Sequence, residues 1–130
     1  MRGMDLHENE IAKIVLDAAN RVHRKTGPGL LERAYEECLY FELEKEGLLV
    51  EKQKVLPLIY AGVHLDAGYR IDLLVNQKVV IELKSVEAIA PVHLAQVITY
   101  LKLSGCKLGI LINFNVSLLK DGFKRVVNGL

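Results

Sequence analysis

Apolar residues along the chain switch between two periods. Leu6, Ile11, Ile14, Val15, Ala18, Ala19 and Val22 recur every three or four positions, which predicts an amphipathic helix over about 6–25. Asp5 followed by Glu8 reads as its capping pair, and Gly27-Pro28-Gly29 ends it. His23, in the last turns, reads as structural. A second helix is predicted from about Leu30 to Glu46, closed by Gly47, with Leu31, Ala34, Cys38, Leu39 and Leu43 as its core stripe. Glu36, Glu37, Glu42, Glu44, Lys45 and Glu46 then form a solvated face. From Val50 the pattern becomes extended. One strand runs to about Ala61, with Pro57 marking an edge or bulge. Ala61-Gly62 makes a hairpin turn into a strand from Val63 to Val75, kinked at Ala67-Gly68. A third helix fits Pro91 to about Ser104, with Val92, Ala95, Val97, Ile98 and Leu101 on the core side and His93, Gln96 and Tyr100 as a polar stripe. Lys107 to Ile112 reads as a buried strand. The tail is ambiguous: Val116, Leu118 and Leu119 suit an edge, Gly122 breaks any long helix, and Lys120, Lys124 and Arg125 form a small basic cluster.

The stretch from Tyr69 to Ser85 breaks the apolar pattern. Side chains alternate faces along a strand. If Asn76, Gln77 and Lys78 form a three-residue loop, one face carries Ile71, Leu73, Val75, Val79, Ile81 and Leu83, with no polar residue. The other carries Asp72, Leu74, Val80, Glu82 and Lys84, and Asp72 opposes Glu82. Cross-strand partners lie roughly 5 Å apart at Cβ, where like charges repel. A divalent cation removes the conflict: hard oxygens suit Mg²⁺, which takes one or two carboxylates and keeps its waters. A lysine beside the pair can hold a phosphate or the attacking water. The alternative is a surface hairpin whose outer face is merely solvated. Glu32 has two readings as well. In the first turn of its helix it complements the dipole, or it points over the sheet as a third carboxylate. Gln96 and Tyr100 lie one turn apart and are able to reach a phosphate or bound water, or else form an ordinary polar helix edge.

Composition narrows the classes. At 130 residues and 51% apolar, the chain reads as a single folded domain over 1–130. No apolar run approaches the ~20 residues of a membrane span, and the first ten residues hold no apolar signal core. Cys38 and Cys106 lack C-x-x-C spacing and read as buried thiols in a reducing compartment, so the cytoplasm is the expected location. A net charge of +1 announces no overall basic field. Phosphate binding would have to come from local geometry.

Taken together, the residues carry a resemblance. Asp72 followed by Glu82-Leu83-Lys84 resembles the D…E-x-K signature of the PD-(D/E)xK nuclease superfamily. The predicted order matches its α-β-β-β-α-β core in a mixed α/β sheet, preceded by one extra helix. Gln96 to Tyr100 resembles a Q-x-x-x-Y helix motif of its exonuclease-like branches. Gly29-Leu30-Leu31-Glu32-Arg33-Ala34-Tyr35 matches the pattern that names the GxxExxY family, and the L-I-N-F-N and L-L-K-D-G-F-K-R segments look like that family too. The resemblance spans about residues 6 to 127. It departs at Ile71, where the superfamily often has proline. It implies that Asp72, Glu82 and the Leu83 carbonyl ligate Mg²⁺ or Mn²⁺, with Glu32 acting directly or through water. It further implies that Lys84 activates water and that Gln96 lies at the site edge. The expected function is a metal-dependent nuclease with nucleic acid as partner, DNA ahead of RNA. The alternatives are a weakly active or inactive nucleic-acid-binding or scaffold module on the same fold, and a homo-oligomer formed through an edge strand.

Overall fold

A computed structural model describes residues 5–130; Met1 to Met4, the start of the stretch read above for a signal core, lie outside it. The order is α1 (Glu8–Thr26), α2 (Glu32–Lys45), β1 (Val50–Tyr60), β2 (Val63–Val75), β3 (Val79–Lys84), α3 (Pro91–Ser104), β4 (Leu108–Asn113), a 3₁₀ turn (Leu119–Gly122) and β5 (Phe123–Val127). The five strands form one sheet in the order β1-β2-β3-β4-β5. Only β3 and β4 run parallel, because α3 connects them as a crossover; the other neighbours are antiparallel. The expected mixed α/β architecture is therefore present. The tail adds an outer strand, β5, built from 123–127 and not from Val116 to Leu119.

Helices cover both faces. Ile11, Val15, Val22, Tyr35, Leu39 and Leu43 of α1 and α2 pack on Leu73, Val75, Val79, Ile81 and Leu83. Val97, Tyr100 and Leu101 of α3 pack on Leu74, Val80 and Leu111. The three-residue loop sets this register: Val75 pairs with Val79, Leu74 with Val80 and Leu73 with Ile81. Asn76 and Gln77 both take left-handed backbone angles, which lets the chain reverse tightly there. The Ala61-Gly62 turn does the same, with φ of 51° and 78°. Pro57 lies on the edge strand, opposite an insertion of Asp66 to Gly68 in β2, so the predicted kink is a bulge. Asp66 accepts the Gly68 N–H at 3.1 Å and closes it.

Several local expectations change. The α1 cap is His7, not Asp5: its Nδ1 accepts the Asn9 N–H at 3.0 Å while Glu10 accepts the His7 N–H at 3.1 Å. Leu31 is 79% exposed, because it precedes the helix as its N-cap and its side chain never turns inward. Glu36 and Glu42 are buried, not solvated. The Arg21 guanidinium donates to Glu42 at 2.8 Å and holds that carboxyl below its ordinary pKa. On α3 the buried side is Val97, Tyr100 and Leu101, while Val92, Ala95 and Ile98 are exposed. The helix is rotated about its axis relative to the expected placement, bringing Tyr100 onto the sheet.

That rotation depends on close approach at one residue of β4. A methyl placed on Gly109 would lie 2.5 Å from Val97 Cγ1 and 3.4 Å from a Leu101 methyl. We expect Gly109→Ala to push α3 off the sheet, cost about 1–3 kcal/mol and lower the melting temperature by roughly 3–10 °C. Thermal denaturation followed by circular dichroism checks this, and an unchanged midpoint would show that the helix has room.

Candidate active site

Backbone pairing between β2 and β3 stops at Leu73 and Ile81. Beyond that point β2 stays with β1, and β3 stays with β4 through Glu82–Leu111, Leu83–Ile112 and Lys84–Asn113. The two strands part, leaving a notch in the sheet. Backbone N–H groups at its edges lose their ladder partners and need acceptors. Two carboxylates supply them, crosswise. Asp72 Oδ2 accepts the Leu83 N–H at 2.9 Å, and Glu82 Oε1 accepts the Asp72 N–H at 3.1 Å.

The strand β2 also turns over here. By alternation Ile71 belongs with Leu73, yet it packs with Leu74, Val80 and α3. The apolar face expected to include Ile71 therefore ends at Leu73. The turn leaves Asp72 open to groups on the α2 side of the sheet. Gln53 of β1 donates its side-chain N–H₂ to Glu36 Oε1 at 2.6 Å and to Asp72 Oδ1 at 3.3 Å. Neither Gln53 nor Glu36 was singled out from the sequence. Glu36 sits among charged neighbours on a helix, and nothing in the local pattern marks one acid of such a run as buried. Gln53 lies in a run of four polar residues, Glu51 to Lys54, and its left-handed φ of 52° leaves no trace in residue type.

Burial governs the charges. Glu82 is pushed up to about 9, first by desolvation and next by the charge of Asp72; the Asp72 N–H and Lys84 oppose the shift. Asp72 is also raised, again chiefly by burial, against hydrogen bonds from the Leu83 N–H, Glu82 and Gln53. Glu36 is raised by burial and by the nearby Asp72, although its bond to Gln53 pulls the other way. At neutral pH Glu82 thus carries a proton, beside an Asp72 that burial also pushes up. From α3, Tyr100 faces the pair. Its hydroxyl is pushed up to about 12 by burial and by the charges of Glu82 and Asp72. Gln96 Nε2 donates to that hydroxyl at 3.0 Å, and the Tyr69 ring packs edge-on at 6.0 Å. Lys84 follows Glu82 by two residues on β3, so it shares its face. Its charge draws both carboxyls down.

Glu32 is placed differently from the pair. It lines a cavity of about 210 Å³ with Arg33, Glu36, Gln53 and Asp72, and its carboxylate accepts the Ser85 N–H at 3.2 Å. Among the described residues, no group of three or more His, Cys, Asp and Glu side chains is gathered as a metal cluster. Around Glu32 the G-x-x-E-x-x-Y stretch acts as a staple. Tyr35 donates its hydroxyl to Gly27 O at 2.5 Å and accepts the Leu30 N–H at 3.1 Å, while Ser85 Oγ donates to Leu30 O at 2.9 Å. Tyr35 is fully buried and stacks on Phe114 at 4.3 Å. Gly29 takes a φ of 107°, which favours glycine. The staple fixes the start of α2 against the end of β3, directly after Lys84.

A family profile, the PD-(D/E)XK nuclease superfamily, matches residues 9–126. The chain belongs to that superfamily. No curated protein and no solved structure gives a significant match. The mixed sheet with helices on both faces agrees with a PD-(D/E)XK fold. Membership supports a nuclease-type function and a nucleic-acid substrate, and PD-(D/E)XK nucleases are generally dependent on divalent metal. No helix among the described residues is long and apolar enough to cross a membrane.

The chemistry of the donor set fits such an ion. Two carboxyls share one desolvated spot, and one of them is forced to stay neutral without a cation. The folded PD-(D/E)XK domain then holds more protons than its unfolded chain between the ordinary Glu value of 4.5 and about 9. Stability contributed by this group is present at low pH and is lost as pH rises through that window. Glu82→Gln, neutral at every pH, removes the slope. In EDTA the variant should melt roughly 5 °C or more above wild type at pH 9 and close to it at pH 5. A difference between the two proteins that does not grow with pH would show that Glu82 is not held neutral.

Proposed function

We infer that this protein is a metal-dependent nuclease that hydrolyses phosphodiester bonds of nucleic acid, with Mg²⁺ or Mn²⁺ as its ion and DNA taken ahead of RNA. The observation that carries this reading is the crossed pair: buried Glu82 and half-buried Asp72 side by side where β2 and β3 part, each bound to a backbone N–H of the opposite strand. Superfamily membership supports it independently. The stretch from Gly29 to Tyr35 further supports a place in the GxxExxY branch. We read residues 1–130 as a single nuclease-like domain working in the cytoplasm, in keeping with the free thiols of Cys38 and Cys106.

In this reading Asp72, Glu82 and the Leu83 carbonyl hold the ion, and Glu32 contributes directly or through water. When bound, the ion lowers the pKa of its water and stabilises charge on the phosphorus centre. The remaining roles belong to the chain. Asp72 and Glu82 stay in place because the Leu83 and Asp72 N–H groups fix one oxygen of each. Lys84 orients the attacking water and steadies the negative charge that develops as the bond breaks. Gln96 and Tyr100 close the α3 side of the notch and keep bulk water from it.

The competing reading is a binding or scaffold module with little turnover. A net charge of +1 favours it, since no overall excess of positive charge supplies affinity. One set of assays separates the two. DNA and RNA oligonucleotides, run side by side with Mg²⁺ or Mn²⁺, should be cut by the wild-type protein. Asp72→Ala or Glu82→Ala should lower the rate by roughly 10²–10³-fold or more, with the fold retained. Lys84→Ala should lower it without abolishing stabilisation by metal. Millimolar Mn²⁺ should raise the melting temperature of wild type and not of Asp72→Ala. Cleavage that persists in both acid variants would falsify the nuclease assignment at this site. Nucleic-acid binding with no metal shift at all would favour the module.

A further inference from the structure

We propose that Gln53 is a positioning residue of this site, aiming the Asp72 carboxylate at the bound cation, with Glu36 on α2 as its anchor. The inference rests on the nuclease reading given above. Three observations carry it. Gln53 holds a left-handed backbone angle in the middle of a strand, which a residue with a Cβ takes only at a cost. Its neighbours pair normally, Lys52 with Leu73 and Lys54 with Ile71, so the sheet does not force the angle by a shift of register. The side chain then reaches two acids at once, Glu36 at 2.6 Å and Asp72 at 3.3 Å.

An amide suits this place. The N–H₂ group has two hydrogens and meets two acceptors, one on each side. It carries no net charge, so it orients Asp72 without neutralising it. A lysine there would compete with the cation, and a glutamate would add a third acid. Oδ2 of Asp72 is already fixed by the Leu83 N–H, so Gln53 fixes the remaining oxygen. With both oxygens held, the carboxylate has one orientation before the ion arrives. Preorganisation of this kind raises affinity because less freedom is lost on binding.

A purely structural role has a weaker footing. Lys52 already ties β1 to α2 through Glu37 at 2.9 Å, and its ammonium lies 4.5 Å from the Tyr40 ring centre. Gln53 itself is exposed. The strained angle therefore serves the position of one side chain, at a point where the ladder on the β1 side is otherwise intact.

The two roles predict opposite stabilities. Gln53→Gly keeps the left-handed angle at no steric cost and deletes the amide. In EDTA its melting temperature should equal or exceed that of wild type. Its Mn²⁺ response should weaken: at least tenfold more Mn²⁺ is expected for half of the full thermal shift and for half-maximal cleavage. The rate at saturating Mn²⁺ should stay within a few-fold of wild type. Glu36→Leu should behave in the same way, while Glu36→Gln, which still offers an oxygen to Gln53, should restore the wild-type Mn²⁺ response. A Gln53→Gly protein with an unchanged Mn²⁺ response overturns the proposal, as does one that melts lower in EDTA. Loss of the Mn²⁺ response in Glu36→Gln would make Glu36 a ligand and not an anchor. If wild type itself shows neither a Mn²⁺ shift nor cleavage, the nuclease reading falls first, and the proposal falls with it.

Discussion

Two acids held face to face where a sheet divides are the constraint from which the rest of this structure follows. A continuous ladder between β2 and β3 would leave no vacant backbone donors. The divergence creates them, and Asp72 and Glu82 answer with side-chain oxygens. This solves the hydrogen-bond account of the notch and creates an electrostatic debt. Glu82 meets that debt by remaining protonated near neutral pH. The parting of the strands is itself dictated by their other partners. β3 is committed to β4 by the parallel ladder, and β2 to the long hairpin with β1. Helices on both faces prevent either strand from swinging back into water.

The approach to the notch is tied down from two directions. On one side the turn before α2 is bound to the end of β3 through Tyr35, Ser85 and Glu32. On the other, the buried side chain of Asn113 holds the connection after Ser85. Its Oδ1 accepts the Val86 N–H at 3.1 Å and its Nδ2 donates to Val86 O at 2.9 Å. Phe114 adds its N–H to Lys84 O at 3.1 Å and its ring to Tyr35. Sequence segments far apart, around residues 30, 85 and 113, are thus one mechanical unit. Their shared task is to fix the backbone on which Glu82, Leu83 and Lys84 stand.

How much of this was legible beforehand follows from the range of the forces involved. Most local signals held, although the cap of α1 fell to His7 and not Asp5. The Ala61-Gly62 turn, the bulge opposite Pro57, the third helix from Pro91 to Ser104 and the three-residue loop all depend on neighbours in sequence. Alternation plus one loop length also set Asp72 opposite Glu82, but the ladder stops at Leu73 and Ile81, and the two acids meet through crossed bonds to backbone N–H groups instead. What escaped depends on partners distant in the chain. Glu42 is buried because Arg21 lies across from it, and Glu36 because Gln53 does. Tyr100 turned inward because Gly109 lets α3 sit close. Ile71 changed face because β2 twists as it leaves β3. In each case residue type alone favoured the commoner outcome, and a contact from another element reversed it.

The distribution of charge around the notch bears on how such a site would meet a phosphate. Glu36, Asp72 and Glu82 crowd one region, and Lys84 is the cation whose field reaches the Asp72–Glu82 pair. Burial pushes all three acids up, while Lys84 draws Asp72 and Glu82 down and Arg33 draws Glu36 down. A phosphodiester brought to this surface gains little attraction from it. The whole chain does not help, because its net charge is only +1. Attraction for substrate would, on the proposed reading, arrive with a cation, which would displace the proton of Glu82. On the proposed reading, ion and nucleic acid are coupled ligands: each is bound weakly by the bare notch and better in the presence of the other. On that reading, the acids that make the metal-free fold costly are the same ones that a cation would neutralise.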